Sequence, residues 1–142
     1  MKSQPEVFIY TALPCEAKPL IGHFRLKRKT QVRSFAVYRN ENICLTVTGL
    51  GKNAMAAGVA YTQALFSGIE NPAMINVGVA GHQAHPLGSP FIGHKITDAD
   101  TGKNFYPVPA FSFICASEAV VTSSRPQLDY AHPYLCDMEA SA

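Results

Sequence analysis

Two carboxylates and two glycine-rich turns are the places where this sequence could do chemistry. Glu16 closes Ala12-Leu13-Pro14-Cys15-Glu16, a few residues after a short apolar run. In an open α/β sheet, ligands bind outside the carboxyl ends of the strands. An acid there can orient or deprotonate a water, or it can cap the helix that follows. Asp137-Met138-Glu139 follows another strand-like run. Two acids around a Met can be one exposed and one capping residue, and periodicity leaves open which is which. Gly49-Leu50-Gly51-Lys52 lies between a strand and a helix, where backbone N–H groups could hold an anion. It lacks the spacing and the Ser or Thr of a P-loop, so on pattern alone it reads as a structural turn. His82 and His85 form an H-x-x-H pair with His94 further on. No carboxylate or cysteine completes a ligand set nearby, so they read as loop histidines and no metal is expected.

These groups need elements to hold them. Residues 7–12 are rich in strand formers, and residues 15–24 carry Ala17, Leu20, Ile21 and Phe24 at helical spacing. Residues 35–39 and 43–48 read as two strands of a hairpin around Asn40-Glu41-Asn42. Residues 52–66 follow as a helix whose Ala54, Ala56, Ala57, Gly58 and Ala60 allow close packing on a sheet. Another strand is expected at residues 73–79, ending in Gly78-Val79-Ala80-Gly81. Beyond it, residues 91–97 and 111–116 read as strands, residues 120–122 as a short extended piece and residues 134–138 as one more. The pattern predicts an α/β fold with helices on both faces of a mixed sheet. The segment 98–109 is the expected mobile or partner-contacting loop.

The 142 residues fit one domain, and 47% hydrophobic against 15% charged residues predicts a chain that folds. Twelve Lys and Arg against ten Asp and Glu give a net charge of +2, too even for nucleic-acid binding to be the main role. The basic cluster at residues 25–33 reads as a solvated loop, because no aromatic residues interleave with the charges. Cys15, Cys44, Cys115 and Cys136 contain no C-x-x-C pair and read as reduced, mostly buried thiols. With no signal-peptide pattern and no run approaching 18 apolar residues, neither secretion nor a membrane role is expected, and the expected compartment is the cytoplasm.

Taken in order, four segments resemble the purine and uridine phosphorylase superfamily, nearest to the 5′-methylthioadenosine/S-adenosylhomocysteine nucleosidases. Ala12-Leu13-Pro14-Cys15-Glu16 resembles the loop whose Glu positions the attacking water, and Thr48-Gly49-Leu50-Gly51-Lys52 resembles a T/S-G-I-G-K turn. Ile75-Asn76-Val77-Gly78-Val79-Ala80-Gly81 is similar to I-N-x-G-x-A-G, and Asp137-Met138-Glu139-Ala140 to E-M-E-A. The resemblance implies a three-layer α/β/α sandwich around a mixed twisted sheet, and cleavage of the N-glycosidic bond of a nucleoside without metal or organic cofactor. It implies Glu16 as the catalytic residue. It implies Leu13, Val79, Ala80, Gly81, Val120, Val121, Met138 and Glu139 around the substrate, with Glu139 on both ribose hydroxyls.

Two departures shape that expectation. Asn76 and Val79 stand where family phosphorylases place an Arg and a Ser around phosphate, which favours hydrolysis over phosphorolysis. The family's catalytic Asp lies on a later strand, past the E-M-E-A motif, so these 142 residues are expected to lack the final strand and helix and to be inactive by themselves. A nucleoside-binding or structural member without catalysis is the alternative. The resemblance also implies a homodimer, with Asn104-Phe105-Tyr106-Pro107 at the contact.

Overall fold

The computed structural model describes residues 4–109 and 112–142, which form two compact units divided after Gly78. The first contains β1 (Val7–Thr11), α1 (Pro14–His23), β2 (Lys27–Arg28), β3 (Ala36–Arg39), β4 (Ile43–Val47), α2 (Lys52–Leu65) and β5 (Ala73–Asn76). Its sheet runs β2-β3-β4-β1-β5. β1, which lies between β4 and β5, is parallel to both, while β3 is antiparallel to β2 and β4. The expected mixed sheet is therefore present.

Side-chain alternation along β1 sorts the helices onto opposite faces. Phe8 and Tyr10 join Val37, Cys44, Met55 and Phe66 in a core on the α2 side, where the rings of Phe8 and Phe66 meet edge to face at 5.7 Å. Ile9 joins Ala17, Leu26 and Leu45 on the other side, with Leu20 and Ile21 of α1 and its C-cap Phe24 packed against them. This is the α/β/α layering. Each fully buried side chain such as Phe8 or Leu45 contributes about 1.5–3 kcal/mol. The small-residue face of α2 has a specific use: a Cβ on Gly58 would lie 3.0 Å from the Cβ of Thr48. Close approach of helix and sheet also leaves Thr46 and Thr62 buried together, their hydroxyls bonded at 2.9 Å, with Thr62 donating to the Gly58 carbonyl at 2.7 Å. No buried hydroxyl of this pair is left to pay a desolvation penalty.

The hairpin forms because Asn40 accepts the N–H groups of Asn42 and Ile43 through Oδ1, at 3.0 and 2.8 Å. The basic cluster is a partial correction. Lys27 and Arg28 pair with Arg39 and Tyr38 as an edge strand, and Arg28 lies over the Tyr38 ring at 5.4 Å. A short, charged edge is a common way to discourage further strand pairing.

The second unit contains β6 (Phe91–Asp98), β7 (Asn104–Phe105), β8 (Ala116–Thr122) and β9 (Leu135–Asp137), ordered β7-β6-β8-β9. It is also mixed, with β8 parallel to β6 and β9, and β7 antiparallel to β6. Among its described residues there is no helix. Two expected pieces, residues 111–116 and 120–122, resolve into the single strand β8. Phe111 lies outside the described residues, and Phe113 and Ile114, both exposed, precede the strand. All four cysteines are free thiols, but only Cys44 and Cys136 are buried, whereas Cys15 is exposed and Cys115 half-buried. Burial pushes the Cys44 thiol up to about 11, so it stays neutral. No helix among the described residues is long and apolar enough to cross a membrane.

Candidate functional site

The carboxyl ends of β4, β1 and β5 bring three of the motif segments together in the first unit. Thr48 and Gly49 donate their N–H groups to the carbonyls of Thr11 and Ala12 at 2.9 and 3.0 Å, and Val77 donates to Tyr10 at 2.9 Å. The turn after β4 is thereby docked on the turn after β1. Gly49 and Gly51 adopt φ of 94° and 91°, a region that side chains disfavour, which explains both glycines without a ligand.

Leu13 is the N-cap of α1 and Pro14 its first residue, where a missing N–H costs nothing. Glu16, half-buried, reaches back to accept the Leu13 N–H through Oε2 at 2.8 Å. The capping role weighed for this acid is therefore realised. Its other oxygen, Oε1, lies 3.6 Å from where a Cβ on Gly78 would sit. The cap bond constrains the direction of the carboxylate, a constraint any water-orienting base also needs.

In the second unit, β9 has β8 on one side and Gly81 on the other. Gly81 and Cys136 exchange both backbone hydrogen bonds at 2.9 Å, so Gly81 lies beside the strand that leads into Met138 and Glu139. A Cβ on Gly81 would meet Tyr130 Cδ1 and Cζ at 2.6 Å, so this glycine is required by a packed ring. Val79 and Ala80 are exposed.

The two acids of the Asp-Met-Glu motif separate clearly. Asp137 Oδ1 accepts the Thr122 hydroxyl at 2.6 Å, and Oδ2 accepts the N–H groups of Glu139 and Ala140 at 3.2 and 2.7 Å. Burial raises the Asp137 carboxyl above its ordinary range against the lowering effect of those bonds. Asp137 is the capping acid. Glu139 and Met138, both half-buried, sit on the turn that it holds. Val120 is 8% exposed and Val121 half-buried. As neighbours on β8 they point to opposite faces, so a ligand on one face meets only one of them.

Thr122 was not among the expected site residues, and the signal for it is the alternation that buries both Val120 and Thr122. The histidines form a local cluster. His82 Nδ1 accepts the N–H groups of Ala84 and His85, the two rings stack at 3.9 Å, and His85 Nε2 lies 3.7 Å from Glu118 Oε2. The Ala119 N–H first, and then His85, hold the Glu118 carboxyl below its usual range. Among the described residues no group of three or more His, Cys, Asp or Glu side chains could hold a metal ion. Three more acids of this unit accept hydrogen bonds, Asp98 and Asp129 from their own turns. Asp98 accepts from Asp100 and Thr101, Asp129 from Ala131, and Asp100 bonds Ser124.

No protein-family model matches the chain, and no curated protein does. Solved structures do match. The S-adenosylhomocysteine nucleosidase of Streptococcus pyogenes, in complex with 5-methylthiotubericidin, superposes with a TM-score of 0.74 at 19% identity, covering 99% of this chain and 76% of that one. The 5′-methylthioadenosine/S-adenosylhomocysteine nucleosidase of Colwellia psychrerythraea, in complex with adenine, gives 0.77 at 13%, covering 99% and 76%. The uridine phosphorylase of Schistosoma mansoni, in complex with thymine, gives 0.74 at 11%, covering 97% and 69%. The chain shares the fold of these two nucleosidases and this uridine phosphorylase, and at these identities the likeness establishes the fold alone.

Proposed function

We propose that the protein acts on a nucleoside and breaks the N-glycosidic bond between ribose and base by hydrolysis. The observation that carries this reading is the division of labour at Asp137-Met138-Glu139. Asp137 is engaged through both oxygens, one on the Thr122 hydroxyl and one on the turn, and the likeness of Asp137-Met138-Glu139-Ala140 to E-M-E-A gives the ribose hydroxyls to Glu139. Cleavage through an oxocarbenium-like ribosyl cation gains from a carboxylate on the ribose hydroxyls, and charged hydrogen bonds of this kind contribute roughly 1.5–3 kcal/mol each. Glu16 orients or deprotonates the attacking water, a role typically worth on the order of 10² to 10⁴ in rate. Leu13 and the backbone of Val79, Ala80 and Gly81 line the substrate, Met138 packs under the sugar, and one of Val120 and Val121 meets the base. The reaction so written uses no metal or organic cofactor.

Hydrolysis is preferred because Asn76 and Val79 are uncharged where a phosphate would need charge-assisted donors. The test is product analysis after long incubation with adenosine, 5′-methylthioadenosine or uridine in phosphate buffer. Free ribose (or its 5′-methylthio form) is the expected product beside the base. Ribose 1-phosphate as the main product would contradict hydrolysis. A second reading, nucleoside binding without cleavage, is favoured by the engagement of Asp98 and Asp129 in their own turns and of Asp100 with Ser124.

The same proposal includes pairing with a second copy. Phe105 and Tyr106, on the segment expected at the contact, are 43% and 67% exposed. Aromatic residues are enriched at such interfaces. Light scattering at micromolar concentration is expected to report a dimer, and a monomer there would contradict the pairing.

A further inference from the structure

Asp137 and Thr122 do more than fill the second unit. Thr122 is fully buried and closes β8, and Asp137 ends β9 directly opposite it in the parallel register. The Asp137 carbonyl accepts the Ser123 N–H at 3.0 Å, so backbone and side chain both tie the two strand ends together. From that anchor the carboxylate reaches forward to the N–H groups of Glu139 and Ala140. The Glu139 carbonyl accepts the Ala142 N–H at 3.0 Å, which closes the turn from the other side. The N–H groups of Glu139 and Ala140 are therefore held by one carboxylate, itself fixed by one hydroxyl. A buried hydroxyl can satisfy only a partner placed for it, and a carboxylate with both oxygens bonded has little rotational freedom.

We propose that Asp137, locked by the Thr122 hydroxyl, is a positioning residue that presents Glu139 to the ribose hydroxyls and so sets the discrimination between ribonucleosides and sugars lacking those hydroxyls. This rests on the assignment of Glu139 to ribose. Thr122→Val keeps the side-chain volume and removes the hydroxyl that locks the carboxylate. Asp137→Asn keeps an oxygen for Thr122 but turns an NH₂ group toward two N–H donors, so it releases the turn from the other end. Neither residue touches substrate in this account, and the effect is confined to what Glu139 recognises.

The experiment measures affinity by calorimetric titration for adenosine or uridine, whichever binds more tightly, and for its 2′,3′-dideoxy analogue, with folding checked by denaturant unfolding. In the parent the ribonucleoside is expected to bind about 100-fold more tightly, as two charged hydrogen bonds imply. Thr122→Val is expected to cut that preference to below about tenfold with affinity for the dideoxy analogue unchanged, and Thr122→Ser to restore it. If Thr122→Val fails to fold, Asp137→Asn carries the same expectation. A parental preference in a folded Thr122→Val or Asp137→Asn protein would overturn the positioning role. A parental preference in Glu139→Gln would instead overturn the ribose assignment itself, so the two failures are distinguishable.

Discussion

Replacing Glu139 with Gln is expected to weaken ribonucleoside binding by about two orders of magnitude, with the midpoint of denaturant unfolding unchanged. The size follows from the chemistry of the contact. A carboxylate accepts both ribose hydroxyls with charged hydrogen bonds, and Gln offers one neutral acceptor and a donor group that meets a hydroxyl less favourably. A loss of about 1.4 kcal/mol at each hydroxyl multiplies to roughly 100-fold. Folding is expected to survive because the turn is held through the backbone N–H groups of Glu139 and Ala140, which the substitution keeps. Titration of the folded variant with adenosine and uridine reads the effect directly. Equal affinity in variant and parent would mean that this carboxylate is not on the sugar.

Base release by residues 1–142 is expected to run at least about 100-fold below that of the S-adenosylhomocysteine nucleosidase of Streptococcus pyogenes assayed beside it. A purine or pyrimidine leaves readily only if a positioned acid protonates or hydrogen-bonds it as the bond breaks, a contribution of order 10² to 10⁴. The carboxylates of the second unit that could be considered for this are held by other bonds. Asp98, buried, takes the N–H groups of its own turn; Asp100 bonds Ser124; Asp129 takes the N–H of Ala131. Asp98 and Asp129 are turn formers, as their sequence setting suggests, whereas Asp100 is held by a hydroxyl distant along the chain. Turnover matching that of the Streptococcus pyogenes protein would contradict this, and alanine substitution at Asp98, Asp100 and Asp129 in turn would then identify the acid.

The two outcomes separate the two readings of the site. Loss of affinity in Glu139→Gln with slow turnover describes a ribose-binding site whose leaving-group acid is not Asp98, Asp100 or Asp129.

Much of this arrangement is legible in the sequence because it is local. Apolar alternation and β-branched composition mark β1, β3 and β4, and helical spacing of Ala17, Leu20, Ile21 and Phe24 marks α1. Asn40 writes its own turn. Other features depend on partners far along the chain, and periodicity carries no trace of them. Lys27 and Arg28 look like solvated charge until Tyr38 and Arg39 are placed beside them. The Phe-Ser-Phe-Ile-Cys run has strand composition, yet Ile114 ends fully exposed and the strand begins only at Ala116. Strand propensity of this kind yields to the register available beside β6.

The motifs show the same limit. Gly81 reads as a ligand-lining glycine, whereas the ring of Tyr130, 49 positions later, already requires it. Glu16 and Asp137 both cap local backbone, as acids near turns commonly do. Which acid of Asp137-Met138-Glu139 would do so could not be read from spacing, because the decision lies with Thr122, a residue brought opposite by strand pairing. Sequence patterns thus name the candidate acids, and tertiary hydrogen bonds show which of them cap local backbone.

The central claim is that this chain recognises nucleosides through their ribose, and the most direct measurement is a calorimetric titration of the folded protein. Adenosine, 5′-methylthioadenosine, inosine and uridine would each be compared with the matching free base and with the 2′,3′-dideoxy analogue. The account predicts saturable 1:1 binding of at least one ribonucleoside, about 100-fold tighter than its dideoxy analogue. Absence of binding for every nucleoside at millimolar concentration, or equal affinity with and without the ribose hydroxyls, would contradict it.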